Sequence, residues 1–179
     1  MTGVGGQGVQ LLAKLLAHAA MREGRDVLTF GIFMGMIRGG SSESTVVVAD
    51  GEITLPPIVP RAWGVVALHA SGLAPLAAKA EPGGILVVNT SLVPAPPEWP
   101  GVRRVDVAAT ALAAGLGQPL GAGMVALGAF AAASALVAPE SLVGALDEVL
   151  PAHRRALVDG NRACLLAGAA AIEGAHAAR

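Results

Sequence analysis

The 179-residue sequence has no tyrosine, only two tryptophans and three phenylalanines, and a single cysteine. With Cys164 alone, an internal disulfide and any cysteine-based zinc or iron–sulfur site within the chain are excluded, and a reducing cytoplasm fits. Charge is also scarce: 14% of residues are charged against 54% hydrophobic, so a sizeable apolar area is expected to meet a partner. The net charge of -1 and the lack of any basic run exclude the electrostatic footprint of a nucleic-acid binder. No charged-then-apolar leader ends in a cleavage site, so nothing suggests secretion. From Val107 to Pro139 there is no charged residue, and the part from Leu120 to Ala138 approaches the length of a membrane span. It is rich in Ala and Gly, follows Gln118-Pro119, and lacks flanking aromatics or a Lys/Arg cluster. A buried helix at a subunit interface is the expectation, and no membrane partner.

What the chain does have is glycine placed at its front. Gly3-Val4-Gly5-Gly6-Gln7-Gly8 runs straight into Val9-Gln10-Leu11-Leu12-Ala13-Lys14-Leu15-Leu16. Glycines before a helix bring backbone close to something, and the free N–H groups of the helix end suit an anion. Gly3, Gly5 and Gly8 satisfy G-x-G-x-x-G, a pattern that needs a preceding strand and an acidic residue about twenty positions on. Only Met1 and Thr2 precede the loop, so the first strand is expected to be missing, through a misassigned start or a trimmed chain. The nearest acids, Glu23 and Asp26, fall before the next apolar run and not at its end, where a ribose would be held. The glycines equally serve close packing of helix on sheet.

Periodicity gives the rest of the fold. From about Val9 to Glu23, Gln10, Lys14, His18 and Arg22 form one polar stripe that should face water, and Gly24 should cap the helix. Val27 to Phe30 reads as a strand and residues 31–42 as a glycine-broken loop. Ser44 to Ala49 reads as a strand turning at Asp50-Gly51 into a hairpin that returns through Glu52 to Leu55. Val65 to His69, Ile85 to Asn89 and Val102 to Val107 are strand-length apolar runs, with a crossover helix over Leu73 to Ala80. Helices are expected at about 108–116, 121–137, 139–150 and 151–174, the last carrying Arg155, Asp159 and Arg162 on one face. The reading is one α/β domain over residues 1–179: Rossmann-like, with a mostly parallel sheet, a β-hairpin and a helical C-terminal third.

Several residues stand out as candidates. Arg38, followed by Gly39-Gly40 in an apolar stretch, is the charge most suited to bidentate recognition of a carboxylate or phosphate. Asn89, Thr90 and Ser91 close a buried strand at the carboxyl end, where open α/β sheets place ligands; a helix or turn cap explains them equally well. His69 ends a strand at the same edge and is not read as catalytic. His18 belongs to the polar stripe, and Cys164, among Ala163, Leu165 and Leu166, reads as a core residue.

The loop wording with Gln7 is matched by three further stretches: Met36-Ile37-Arg38-Gly39-Gly40, Pro82-Gly83-Gly84-Ile85-Leu86-Val87-Val88-Asn89-Thr90-Ser91, and Met124-Val125-Ala126-Leu127-Gly128-Ala129. Together, in order and over nearly the whole chain, they resemble the gamma subunit of the 2-oxoacid:ferredoxin oxidoreductases, a family that includes pyruvate, 2-ketoisovalerate, 2-oxoglutarate and indolepyruvate enzymes. The resemblance implies a gamma subunit that carries no cofactor alone. It implies alpha, beta and ferredoxin-like partner subunits, with thiamine diphosphate, magnesium, iron–sulfur clusters and coenzyme A on or between them, and ferredoxin or a similar acceptor. Accordingly the chain shows no Gly-Asp-Gly leading to an Asn pair, no cluster cysteines, no Gly-Lys-Ser/Thr phosphate loop and no Gly-x-Ser-x-Gly turn. Gly5, Gly6, Gln7, Gly8, Arg38 and Asn89 become the candidate contact residues toward coenzyme A or a partner. Gly123 departs from the family's Asn before the Met-Val-Ala-Leu-Gly run, so a polar contact there is expected to be lost. A free-standing nucleotide-binding protein and a ligand-free scaffold are the competing readings.

Overall fold

The computed structural model describes residues 1–33, 41–54, 59–96 and 98–177. Its strands are β1 (Thr2–Val4), β2 (Asp26–Phe33), β3 (Ser41–Ala49), β4 (Ala62–Ala67), β5 (Ala80–Asn89) and β6 (Arg103–Val107). The helices are α1 (Val9–Arg22), α2 (Leu73–Ala77), α3 (Ala109–Gly115), α4 (Ala122–Ser134), α5 (Pro139–Val149) and α6 (Val158–Ala177). The strands form one sheet in the order β2-β3-β1-β4-β5-β6. β1, β4, β5 and β6 run parallel, while β3 is antiparallel to both β1 and β2. This is the expected α/β fold, mostly parallel, with a hairpin and a helical C-terminal third.

Some expectations need correction. The first strand is present: Thr2–Val4 pairs with residues 41–43 of β3 and beside Ala67 of β4, because Thr2 and Gly3 are buried between the two. The hairpin joins β2 to β3, in register from Asp26↔Ala49 to Phe33↔Ser42, whereas residues 52–54 after Asp50-Gly51 form no strand. Alternating Val46 and Val48 pack on the core beside Val27, an apolar complementarity that a local turn signal does not reveal. The last predicted helix is broken: residues 152–157 form a 3-10 stretch and α6 starts at Val158, so Arg155 is separated from the Asp159–Arg162 pair (3.2 Å).

Helix α1 ends as its sequence dictates. Gly24 adopts φ +82°, its N–H donates to the Met21 carbonyl and that of Arg25 to Ala20, the paired bonds of a Schellman cap. Its polar stripe is not simply solvated: Gln10 lies over Gly31 and donates to the Glu43 carbonyl (3.0 Å), and His18 and Arg22 both meet Glu148 of α5. Hydrogen bonding from His18 and then Arg22 holds the Glu148 carboxyl below the usual range.

The parallel strands are buried on both faces. Val66, Ile85 and Val87 face a core shared with α1, α4, α5 and α6, while Val65, Ala67, Leu86 and Val88 face a smaller cluster under Leu73 and Leu76 of α2. The charge-free helix α4 is buried from Gly123 to Ala131, not at a subunit interface as its sequence suggested but within the chain, between the sheet and α6. A helix apolar all round requires cover all round. Glycines set how near α6 comes: a Cβ on Gly128 would stand 1.9 Å from the Leu165 carbonyl oxygen, and one on Gly168 1.9 Å from that of Val125. Among the described residues no helix is long and apolar enough to cross a membrane.

Two measurements follow. Gly128→Ala or Gly168→Ala drives a methyl into a facing backbone and is expected to cost about 3 kcal/mol, a fall in Tm of roughly 6–12 °C, in thermal unfolding. Gly174→Ala, with nothing within 4 Å, is expected to leave Tm unchanged or slightly raised. The second concerns the Met1 amine, which donates to the Ser44 carbonyl (2.9 Å) and is pushed by burial from 8.0 to about 6, against the opposing pull of Glu43. Between those values the unfolded chain binds the proton and the folded chain does not, so stability rises from pH 6 to pH 8, by about 2 kcal/mol. Urea unfolding of the chain with a free Met1 amine should show that rise, and acetylating the amine should abolish it.

Candidate functional site

The carboxyl edge of the parallel strands gathers most of the residues singled out above. β1 delivers the chain into a turn closed by the Gln7 N–H donating to the Val4 carbonyl (3.1 Å), with Gly6 at φ +101° and Gly8 at φ +72°. These backbone angles favour glycine, and Gly5, Gly6 and Gly8 are exposed. Gln7 is turned inward: its Oε1 accepts from the Val4 N–H at 2.8 Å, and a Cβ on Gly3 would meet that oxygen at 2.6 Å. The glutamine therefore braces the loop from within. Gly8 is the N-cap of α1, which has no side-chain cap and no acidic residue in its first turn. The helix end thus presents backbone N–H groups and the positive end of its dipole beside exposed glycines.

Asn89 is placed at the same edge but is wholly buried, with its amide committed inside the chain. Its Nδ2 donates to the Leu68 carbonyl (3.3 Å) and Thr110 Oγ1 (2.9 Å), and its Oδ1 accepts from the Thr110 N–H (3.3 Å). Ser91 Oγ accepts from the Ala111 N–H (3.2 Å). Since Ala108 at the N-cap offers no side-chain acceptor, α3 is capped across the chain by Asn89 and Ser91. Of the two readings of this segment, the capping one describes what these side chains do. The Thr90 N–H is taken by the Val107 carbonyl. His69 caps the 3-10 turn of residues 70–72, accepting from the Ser71 N–H at 3.2 Å. Cys164 is fully buried against Gly121, and burial pushes its thiol up.

Between the glycine loop and the facing segment lies a crevice of about 120 Å³, bounded by Gly6 and Gln7 on one side, Leu68 and Thr110 below, and Leu120 and Gly123 opposite. Among the described residues, no charged side chain lines it. Gly123 has a steric reason: a Cβ there would stand 2.8 Å from Leu12 Cδ1 and 3.2 Å from the Gln7 carbonyl, so the helix start of α4 rests directly on the loop. Leu120, 91% exposed, and Leu92 stand at the rim. Sequence reasoning passed over Thr110 and Leu120; the first carries no local signal, and the second was hidden in an apolar run read only for its helix. Arg38 lies outside the described residues. The strands that flank it end at Phe33 and begin at Ser41, and Ser41 pairs with Val4 at the mouth of the glycine loop.

The topology bears on the dinucleotide reading. In a Rossmann unit the second strand lies beside the first and its end carries the ribose-binding acid. Here β3 stands between β1 and β2, so the end of β2 is displaced by two strand spacings, about 10 Å, from the loop. The arrangement can accept an anionic group on backbone N–H donors, and among the described residues it has no acid–base pair at the crevice.

Comparison with known proteins agrees with this architecture. No match is found among curated proteins. The model of the pyruvate ferredoxin/flavodoxin oxidoreductase family matches residues 1–171. Among solved structures, the gamma subunit of a keto/oxoacid ferredoxin oxidoreductase from Geobacter sulfurreducens PCA is 26% identical over 97% of this chain and 96% of its own, with a TM-score of 0.82. Pyruvate oxidoreductase subunit PORC from Thermotoga maritima is 20% identical over 94% and 92%, with a TM-score of 0.74. The 2-oxoglutarate:ferredoxin oxidoreductase from Magnetococcus marinus, solved with 2-oxoglutarate, coenzyme A and succinyl-CoA bound, is 21% identical over 97% of this chain and 30% of its own, with a TM-score of 0.84. At these identities the last two speak for the fold alone. With the family model spanning almost the whole sequence and a gamma subunit matching from end to end, the chain belongs to the pyruvate ferredoxin/flavodoxin oxidoreductase family, as a subunit of the gamma type.

Proposed function

We propose that this chain is the gamma subunit of a cytoplasmic, thiamine-diphosphate-dependent 2-oxoacid:acceptor oxidoreductase that decarboxylates a 2-oxoacid oxidatively to its acyl-CoA. Thiamine diphosphate with magnesium and the iron–sulfur clusters belong to the alpha, beta and ferredoxin-like subunits, and ferredoxin or a similar carrier takes the electrons. The observation that carries the reading is the glycine loop opening its uncapped helix end onto a crevice at the carboxyl edge of the sheet. Coenzyme A is an acyl acceptor whose phosphates suit such a donor set. Gly5, Gly6 and Gly8 would supply the backbone approach. Gln7 and Asn89 act as positioning residues, the first fixing the loop and the second fixing α3 against β4 and β5. Arg38 is assigned to a phosphate of coenzyme A or to a partner carboxylate.

The test is mild affinity purification of this chain from its native cells, with identification of co-purifying subunits and a coenzyme A-dependent 2-oxoacid oxidation assay using a low-potential dye. Recovery with thiamine- and cluster-binding subunits and activity is the expected result; recovery alone, with saturable nucleotide binding, would establish the free-standing binder instead. Within the active complex, Arg38→Ala is expected to raise the KM for coenzyme A at least tenfold or to release the chain from its partners. Leu120→Glu, which places a carboxylate at the exposed rim, is expected to raise the same KM severalfold while Tm and the KM for the 2-oxoacid stay put. Should assembly and coenzyme A affinity survive both changes, the crevice has no part in coenzyme A binding and the chain acts as a scaffold.

A further inference from the structure

β2 closes one end of the sheet: among the described residues it pairs with β3 alone, and its outer edge is open. The usual protections of such an edge are missing. β2 is eight residues long, runs against β3 in unbroken register, contains no Lys and no Pro, and carries its one charge, Asp26, at its first position. A long, regular and mostly apolar edge is a template for pairing with another chain.

The backbone groups available there follow from the ladder. The Ser44 N–H donates to the Met1 carbonyl (3.0 Å), so Ser44 turns its backbone groups toward the line of β1. Successive residues of a strand turn opposite ways, so Thr45 and Val47 turn theirs toward Phe30 and Leu28 of β2. By the same alternation Val27, Thr29 and Gly31 direct N–H and C=O groups outward, off the sheet. Beside them lies a groove of about 430 Å³ between β2 and α1, lined by these three residues and by Ala13, Lys14 and Ala17 of the helix. Ala13 and Ala17 are too small to fill it. At the rim His18 is engaged with Glu148 (3.3 Å), whereas Lys14 is exposed and has no ion-pair partner among the described residues. The opposite face of the strand is apolar, with Leu28 half-buried and Phe30 36% exposed.

We propose that the open edge of β2 is a strand-addition site for an extended segment of a partner chain in which acidic and apolar side chains alternate. The acidic side chains lie over the groove toward Lys14, and the apolar ones lie on the other face beside Leu28 and Phe30. Main-chain bonds to Val27, Thr29 and Gly31 supply most of the affinity, because one exposed ion pair contributes little, and the charge decides which segment is taken. Charge also argues against a second copy of this chain. Antiparallel pairing of β2 with itself about Thr29 puts both α1 helices on one face and brings the two Lys14 side chains to the same seam. Among the described residues no carboxylate lines the groove to separate them.

The experiment follows amide exchange of the full chain on titration with acetyl-Glu-Val-Glu-Val-Glu-amide, and with the same peptide carrying Lys in place of Glu. With the acidic peptide, exchange at Val27, Thr29 and Gly31 is expected to slow about tenfold while Leu28 and Phe30, already bonded to β3, change little. The lysine peptide is expected to bind about fivefold more weakly, and Lys14→Glu to reverse the preference. N-methylation of the glutamate amides, which face β2, is expected to abolish the protection. Unchanged exchange at Val27, Thr29 and Gly31 with the acidic peptide would overturn the proposal, as would equal protection by both peptides. So would protection of those amides without peptide as protein concentration is raised, since the occupant would then be a second copy.

Discussion

Three residues hold this sheet together. Thr2, Gly3 and Val4 bond β3 on one side and meet β4 on the other, so among the described residues the antiparallel pair β2–β3 joins the layer of the parallel strands through β1. The same strand aims the chain into the glycine loop and so fixes where α1 begins. Its shortness concentrates that burden on few bonds: the Gly3 backbone sits too close to Gln7 and Val9 for a side chain, and Thr2 fills the space that Gly72 leaves. A substitution at either glycine would act on the sheet and the loop at once.

The second constraint is the depth of the helical side. Among the described residues, one face of the sheet carries α2 as its helix, while the other carries α1 and α4 and, outside them, α5 and α6. In such an arrangement α4 must be apolar on every side and must let α6 approach to backbone contact, which Gly128 and Gly168 permit. The low charge of the chain is explained in part by this inner helix, without calling on a partner. What remains exposed and apolar includes Leu92, Leu112, Leu116 and Leu120, on α3 and the segments next to it.

Much of this was legible in the sequence, because it depends on period. The apolar runs that fall in β4 and β5, the helix α1 and its Gly24 cap were read directly and are found. What escaped depends on contacts between distant residues. The Asp50-Gly51 turn signal was outweighed by the cross-strand match of Val46 and Val48 with β2, and the three-residue β1 was too short to show a period. Gln10 looked like a surface residue until β3 supplied the Glu43 carbonyl. Asn89 was placed at the right edge, but its partner Thr110 lies 21 residues on and nothing local announces the pair.

That pair also limits what the chain can do at the crevice. Nearly every polar side chain at the carboxyl edge is spent on structure: Gln7 on the Val4 N–H, Asn89 and Ser91 on the end of α3, His69 on its own turn. General acid–base chemistry needs a titratable group free to exchange a proton with substrate, and among the described residues the crevice lining contains none. Among the described residues, the groups left to act there are backbone N–H donors and the field of α1, which hold charge in place and move no protons or electrons. At the crevice, the described residues of this subunit supply position.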